Sequence, residues 1–202
     1  MRKAILPFIA LLVANLCHGQ IQKGDVLIGG SFQIITSTFE DSRNTGFSLA
    51  PRAGFFLSDR TSLGPILGYS YTSRKDNTIG VESDYNTNTF TFGAYMRNYK
   101  PISEKFFFFL QSGIVYGTGN VALTSTTFDE EGDQTLFEVS VSPGLAYFVN
   151  DRISLDVRLA TVTFRDEKTD VLGRFGGIID SSGLTISGGL TNVSFGLSWF
   201  LR

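Results

Sequence analysis

The stretch Thr191-Asn192-Val193-Ser194-Phe195-Gly196-Leu197-Ser198-Trp199-Phe200-Leu201-Arg202 alternates between large apolar side chains and mostly small or polar ones. Successive side chains of a β-strand point to opposite faces, so the large apolar residues of this stretch share one face. The small residues Ser194, Gly196 and Ser198 share the other face, where they fit the interior of a narrow closed sheet. A bilayer imposes this arrangement, apolar outside and polar inside, on closed sheets. The stretch therefore predicts one strand of a transmembrane β-barrel.

Seven other segments show the same alternation. The eight predicted strands are approximately 24–39, 45–58, 61–74, 87–101, 105–122, 135–149, 152–165 and 190–201. The chain also contains 22 Gly, 19 Phe and 7 Tyr, a composition that favours twisted strands and aromatic interface belts over helices. The predicted fold is all-β, an eight-stranded antiparallel up-and-down transmembrane β-barrel.

The predicted connections alternate in length. Short turns are expected at 58–60, 102–105 and 150–152, whereas long polar loops are expected at 75–86, 123–134 and 166–189. Only the first connection at the loop end, residues 40–44, is short. Outer-membrane barrels place short turns in the periplasm and long loops outside the cell, so both termini are expected in the periplasm.

The N-terminus has the features of a secretory signal peptide. Arg2 and Lys3 precede an uncharged stretch at 4–16, and small residues favour cleavage after Gly19. The predicted organisation is a cleaved signal peptide at 1–19 and a barrel domain at 20–202. Cleavage there removes the only cysteine, Cys17, and the only histidine, His18.

The predicted mature chain is poor in the groups that common catalytic and metal sites need. Without cysteine or histidine it can form no disulfide, no Cys or His metal site and no His-dependent catalytic dyad. We therefore expect neither an enzyme nor a cofactor. Loss of Arg2 and Lys3 would change the net charge from -2 to about -4, which argues against a nucleic-acid partner.

Several polar and charged residues occupy inward positions of the predicted strands. An Arg on the lipid face near the bilayer midplane costs about 2 to 4 kcal/mol, so such residues belong inside. There, Arg52, Arg97 and Arg158 could pair with Glu138 and Asp156. An eight-stranded barrel is just wide enough for its side chains to fill, which predicts a lumen filled by a charged network. The predicted network comprises Gln33, Arg52, Arg97, Gln111, Glu138, Asp156 and Arg158.

Two predicted loop segments contain residues that could bind a ligand. The acidic run at 129–133 could bind a divalent cation, but it lacks the spacing of an EF-hand loop, and a solvated acidic loop tip is favoured. The glycine-rich run at 173–177 has no strand-to-helix context, so it is interpreted as a flexible loop rather than a phosphate-binding one.

The predicted barrel resembles the small eight-stranded outer-membrane proteins of the OmpA/OmpX type, the family described as the outer membrane protein β-barrel domain. The resemblance covers residues 20–202. Its most specific element is the last strand, where four residues resemble the signal read by the barrel-assembly machinery: Ser194, Gly196, Trp199 and Leu201. It implies an outer-membrane protein with a structural or surface-contact role. The implied partners are outer-membrane lipid, lipopolysaccharide and, during insertion, the assembly machinery, and the protein is expected to be a monomer.

Three other functions are alternatives to this interpretation of the sequence. A narrow porin-like channel for small solutes would require a water-filled path past the charged network. An enzyme acting on lipopolysaccharide acyl chains would usually need a histidine base. A soluble lipocalin-like binder also has eight strands, but its charged side chains would face outward, the reverse of the pattern in 45–58 and 152–165.

Overall fold

The computed structural model describes residues 21–39, 42–78, 81–125, 129–172, 177–188 and 194–201. Most of these residues form ten β-strands, and among them no helix is long and apolar enough to cross a bilayer. The predicted signal peptide lies outside the described residues. The strands are β1 (Val26–Phe39), β2 (Ser42–Ser58), β3 (Thr61–Thr78), β4 (Val81–Pro101), β5 (Phe106–Ser125), β6 (Asp129–Asn150), β7 (Ile153–Arg158), β8 (Ala160–Leu172), β9 (Gly177–Gly188) and β10 (Ser194–Leu201).

Eight of these strands close into a ring. Strands β1 to β6 pair in sequence order, β6 pairs with β7, β7 with β10, and β10 with β1. All of these pairings are antiparallel. The prediction of an eight-stranded antiparallel barrel is confirmed.

The remaining two strands extend one side of the wall. β8 follows β7 after a break at Leu159 and pairs with β6, while β9 pairs with β8. The predicted long loop at 166–189 is therefore wrong, because most of it is strand. The glycine-rich run was expected within that loop, and its residues 173–176 lie outside the described part of the chain.

Two further predicted loops are also strands. β3 and β4 pair as far as Thr78 and Val81, and β5 and β6 pair as far as Thr124 and Asp129. The acidic run at 129–133 is consequently part of β6 rather than a loop tip. These extensions carry polar residues on both faces, so the apolar alternation that identifies a membrane strand is lost although the hydrogen-bonded ladder continues. The short turns predicted at the opposite end are confirmed around Asp59 and Asp151.

The wall turns large apolar side chains outward along every strand of the ring. Ile28, Phe55, Leu67, Phe92 and Leu155 are among those exposed on the outer face. We call the outward band formed by such residues the apolar belt. Each strand's alternate side chains point into the barrel, and the lumen is therefore the place where buried polar chemistry is possible.

Candidate functional site

The end of the lumen nearest the short turns is filled by aromatic side chains. Phe148 and Phe200 pack with ring centroids 5.0 Å apart, and Phe56 and Phe200 with centroids 5.9 Å apart. We call this group the aromatic plug, and its most deeply buried rings belong to Phe56, Tyr99, Phe109, Phe148 and Phe200, with the Leu27 side chain packed in the same cluster. The plug was not predicted from the sequence, although the apolar residues Phe56, Phe148 and Phe200 occupy inward positions of their strands.

Directly above the plug, one carboxylate binds two arginines. Asp156 Oδ2 lies 2.6 Å from Arg52 Nη2 and 2.6 Å from Arg97 Nη1, and all three side chains are at most 3% exposed. Ser198 Oγ donates to the same oxygen at 2.9 Å, and Ser154 Oγ donates to Asp156 Oδ1 at 3.0 Å. Both oxygens of the carboxylate therefore have partners, as a buried charge requires.

The Arg97 guanidinium also makes contacts with residues other than Asp156. Its Nε and Nη2 donate to Gln111 Oε1 at 3.0 Å and 2.6 Å, and its Nη1 also approaches the Tyr99 hydroxyl at 3.3 Å. Its guanidinium lies 3.9 Å above the centre of the Phe109 ring, where a cation–π contact adds to the hydrogen bonds. The ion layer formed by Arg52, Arg97, Gln111 and Asp156 is thus joined to the aromatic plug.

A small residue of the last strand makes room for this layer. A Cβ at Gly196 would lie 3.0 Å from the Gly30 carbonyl oxygen and 3.2 Å from Asp156 Cβ. The glycine in the predicted assembly signal therefore also has a packing role inside the barrel, because a side chain there would push against the ion layer.

Arg158 lies in the same region without a carboxylate of its own. Its Nη2 donates to Ser31 Oγ at 2.6 Å and to Ser194 Oγ at 2.8 Å. Among the described residues, no Asp or Glu oxygen is within ion-pairing distance of Arg158, and Asp156 is shared by the other two arginines. This part of the lumen therefore holds more positive than negative charge.

Beyond Arg158 the lumen opens into a cavity of about 520 Å³, which we call the vestibule. Gln33 lines it, as does Glu138, whose Oε2 lies 2.9 Å from Arg165 Nη2. The expected pairing of Glu138 with Arg52, Arg97 or Arg158 is therefore corrected, because its ion-pair partner is Arg165. Arg165 is the last residue of the predicted strand 152–165, and it was not among the residues predicted to face inward. The pair is partly solvated, with Glu138 19% and Arg165 49% exposed.

The structure thus divides the seven predicted lumen residues among three positions. Arg52, Arg97, Gln111 and Asp156 form the ion layer, and Arg158 forms part of the vestibule floor. Gln33 and Glu138 line the vestibule wall. Within the described residues, no group of three or more Cys, His, Asp or Glu side chains is arranged to hold a metal ion.

The strand extensions beyond the apolar belt carry a second set of polar contacts. The Ser42 hydroxyl donates to Asp76, and Arg74 Nε donates to Asp76 Oδ2 at 2.8 Å. These two hydrogen bonds, the Ser42 bond first, lower the pKa of the Asp76 carboxyl below its ordinary value. Lys75 Nζ lies 3.0 Å from Asp84 on the neighbouring strand. Exposed pairs of this kind contribute little stability, so the ladder itself holds the extensions together.

A closed β-sheet with an apolar outer belt suits a bilayer, because its backbone polar groups are paired and its lipid-facing side chains are apolar. The polar ion layer lies inside the ring, away from lipid. The sequence profile described as the outer membrane protein beta-barrel domain matches residues 4–198. The chain belongs to this family. It is accordingly an outer-membrane β-barrel protein. A search of curated proteins found none that matches it.

Two solved structures of outer-membrane proteins are similar to this chain at low sequence identity. The outer membrane protein OprG from Pseudomonas aeruginosa matches with a TM-score of 0.53 and 10% identity over 91% of this chain and 99% of OprG. Neisserial surface protein A matches with a TM-score of 0.46 and 17% identity over 87% of this chain and 96% of its own. At 10% identity the likeness to OprG concerns the fold alone.

Proposed function

We propose that this protein is a structural outer-membrane barrel that presents its strand extensions to the cell surface and conducts no solutes. The observation that carries the proposal is the closure of the lumen by two consecutive layers, the aromatic plug and the ion layer. Opening a path would separate buried aromatic rings and expose a carboxylate that holds two arginines. Such a lumen suits a rigid support better than a channel.

The rest of the proposed biology follows from the family and the sequence. The signal peptide at 1–19 directs export, and both termini of the mature chain face the periplasm. The assembly machinery reads Ser194, Gly196, Trp199 and Leu201, after which the monomeric barrel is surrounded by outer-membrane lipid and lipopolysaccharide. No enzymatic activity, cofactor or nucleic-acid partner forms part of the proposal.

A narrow porin-like channel is the second candidate, and the vestibule is the observation that favours it. Water can occupy that cavity, whose walls carry many Ser, Thr and Gln side chains. To become a channel, however, the protein would have to displace Phe56, Phe148 and Phe200 as well as the ion layer. The vestibule alone supports a blind pocket.

The first prediction concerns orientation and tests surface presentation directly. Single cysteines at Asn77, Asp129 and Ser181 in the extensions should react with a membrane-impermeant thiol reagent on intact cells. Cysteines at Asp59, Glu104 and Asp151 in the turns should react only after the outer membrane is permeabilised. All six positions are exposed, so the two sets of cysteines differ in the side of the membrane on which they lie and not in burial of the side chain. Reaction of the turn set on intact cells would overturn the proposal.

A further inference from the structure

Three buried polar atoms beside the ion layer have no hydrogen-bond partner among the described residues. They are Nε of Arg52, the hydroxyl oxygen of Ser62 and the hydroxyl oxygen of Tyr95. The three residues are 5%, 0% and 1% exposed, so bulk water does not reach these atoms. Buried polar groups in native proteins nearly always have a partner, and each of these three atoms therefore requires one.

The strand registers bring the Tyr95 hydroxyl from β4 to β2. Tyr95 pairs with Gly64 of β3, and its side chain extends past that glycine. A Cβ at Gly54 of β2 would overlap the Tyr95 hydroxyl and lie 3.2 Å from Tyr95 Cζ. The hydroxyl therefore ends beside Gly54, between the inward-facing residues Arg52 and Phe56 of the same strand.

Ser62 lies next to the same point on β3. It pairs with Phe56 on one side and with Arg97 on the other. The Ser62 and Tyr95 hydroxyls are neighbours, yet no hydrogen bond joins them. We call the place where Arg52 Nε, Ser62 Oγ and the Tyr95 hydroxyl meet the donor site. Every residue around it that is named here lies in a described part of β2, β3 or β4.

The hydrogen-bonding chemistry of the donor site suits an acceptor. The Nε–H of an arginine can only donate, whereas the hydroxyls of serine and tyrosine can each donate one hydrogen bond. A single acceptor placed between Arg52, Ser62 and Tyr95 would therefore satisfy all three groups. Hydrogen bonds to an ionised acceptor are stronger than those to a neutral one, and the low dielectric of a protein interior strengthens them further.

The charge of the ion layer favours an anion over water as this acceptor. Two arginines and one carboxylate, Arg52, Arg97 and Asp156, give the layer a net charge of +1, and their side chains are at most 3% exposed. A buried charge without a counter-ion is costly. Water would accept the hydrogen bonds but leave the charge in place, whereas a monovalent anion would also neutralise it.

We propose that the donor site binds a small inorganic anion of the chloride type, held by Arg52 Nε and by the hydroxyls of Ser62 and Tyr95. The nearly complete burial of these residues encloses the site, which selects a monatomic ion over a larger one. Tyr95 also lines the vestibule, so the ion has a route from that cavity. This inference goes beyond the structural role proposed above, because it makes the stability of the closed lumen depend on a bound ion.

The test measures urea unfolding of the full barrel in phosphatidylcholine vesicles, with sodium chloride replaced stepwise by sodium gluconate at constant total salt. If chloride binds only the folded barrel, the ratio of folded to unfolded protein should rise about elevenfold at ten times the Kd of chloride. Tyr95→Phe keeps the ring and removes one donor, and Ser62→Ala removes another. Both variants should lose most of the response to chloride.

Tyr99→Phe is the matched control. The Tyr99 hydroxyl is also buried and lies 3.3 Å from Arg97 Nη1, but it is not part of the donor site. Its removal should leave the response to chloride within about twofold of the parent, since the ion keeps all three donors.

Bromide keeps the proposal testable if the variants fail to fold. Crystals of the parent barrel soaked in bromide should show an anomalous peak within hydrogen-bonding distance of Arg52 Nε, Ser62 Oγ and the Tyr95 hydroxyl. A water molecule at this position, without anomalous signal, would overturn the proposal. Equal stability of the parent in chloride and gluconate, or an undiminished chloride response in a folded Tyr95→Phe barrel, would overturn it as well.

Discussion

Replacing Asp156 with alanine should destabilise the barrel by about 3 to 5 kcal/mol, the loss typical of a buried ion pair that loses one partner. The substitution leaves Arg52 and Arg97 buried together without the carboxylate that binds both. Asp156→Asn should cost less, because the amide oxygen can still accept a hydrogen bond from one arginine. The measurement is the urea unfolding midpoint of the refolded protein in lipid vesicles.

Glu138→Ala is the matched control for this prediction. Glu138 also pairs with an arginine inside the barrel, but its partner Arg165 is 49% exposed to the vestibule. Solvent screens such a pair, and the expected loss is about 0 to 1 kcal/mol. Equal losses for Asp156→Ala and Glu138→Ala would mean that water reaches the ion layer as freely as the vestibule.

Trp199→Asp should reduce the amount of barrel in the outer membrane several-fold. Trp199 points outward near the turn end of β10, where it pairs with Ile28 and Ile153. If the assembly machinery reads this aromatic residue, a carboxylate in its place removes the signal and adds a charge to the lipid face. The measurement compares folded protein in outer-membrane fractions with degradation products in the periplasm.

The physical cost of the charge can be separated from the loss of the signal. Near the membrane interface a charged side chain on a barrel costs only about 0 to 1 kcal/mol. Purified Trp199→Asp protein should therefore refold into vesicles nearly as well as the parent, and Trp199→Phe should assemble normally in cells. A Trp199→Asp barrel at normal abundance in the outer membrane would show that this residue is not part of the assembly signal.

The strands of the ring could be predicted because lipid-facing and lumen-facing side chains alternate along each strand, which gives the sequence an alternation of apolar and polar residues. Inward residues such as Arg52, Arg97 and Asp156 stand out because their charge is incompatible with the lipid face. The same reasoning failed above the belt, where β3, β4 and β8 continue into water. There both faces of each strand are polar. The sequence therefore lacks the alternation of apolar and polar residues that would distinguish a paired strand from a loop.

The partners of the lumen residues could not be predicted from alternation. Alternation fixes the face on which a side chain lies but not its height along the barrel, which depends on the registers of all the strands between two residues. Asp156 binds Arg52 and Arg97, which are 104 and 59 residues away in sequence. The assignment of Glu138 to these arginines was wrong for this reason, and its actual partner Arg165 lies directly across the β6–β8 ladder.

The most direct test of the closed lumen is the conductance of the purified, refolded protein in a planar bilayer. With the aromatic plug and the ion layer in place, the parent barrel should show no discrete current steps at moderate voltage. Protein insertion can be verified independently by the heat-dependent shift in gel mobility of the same preparation. Discrete, reproducible ion-conducting steps from verified, folded barrels would contradict the structural role and establish the protein as a channel.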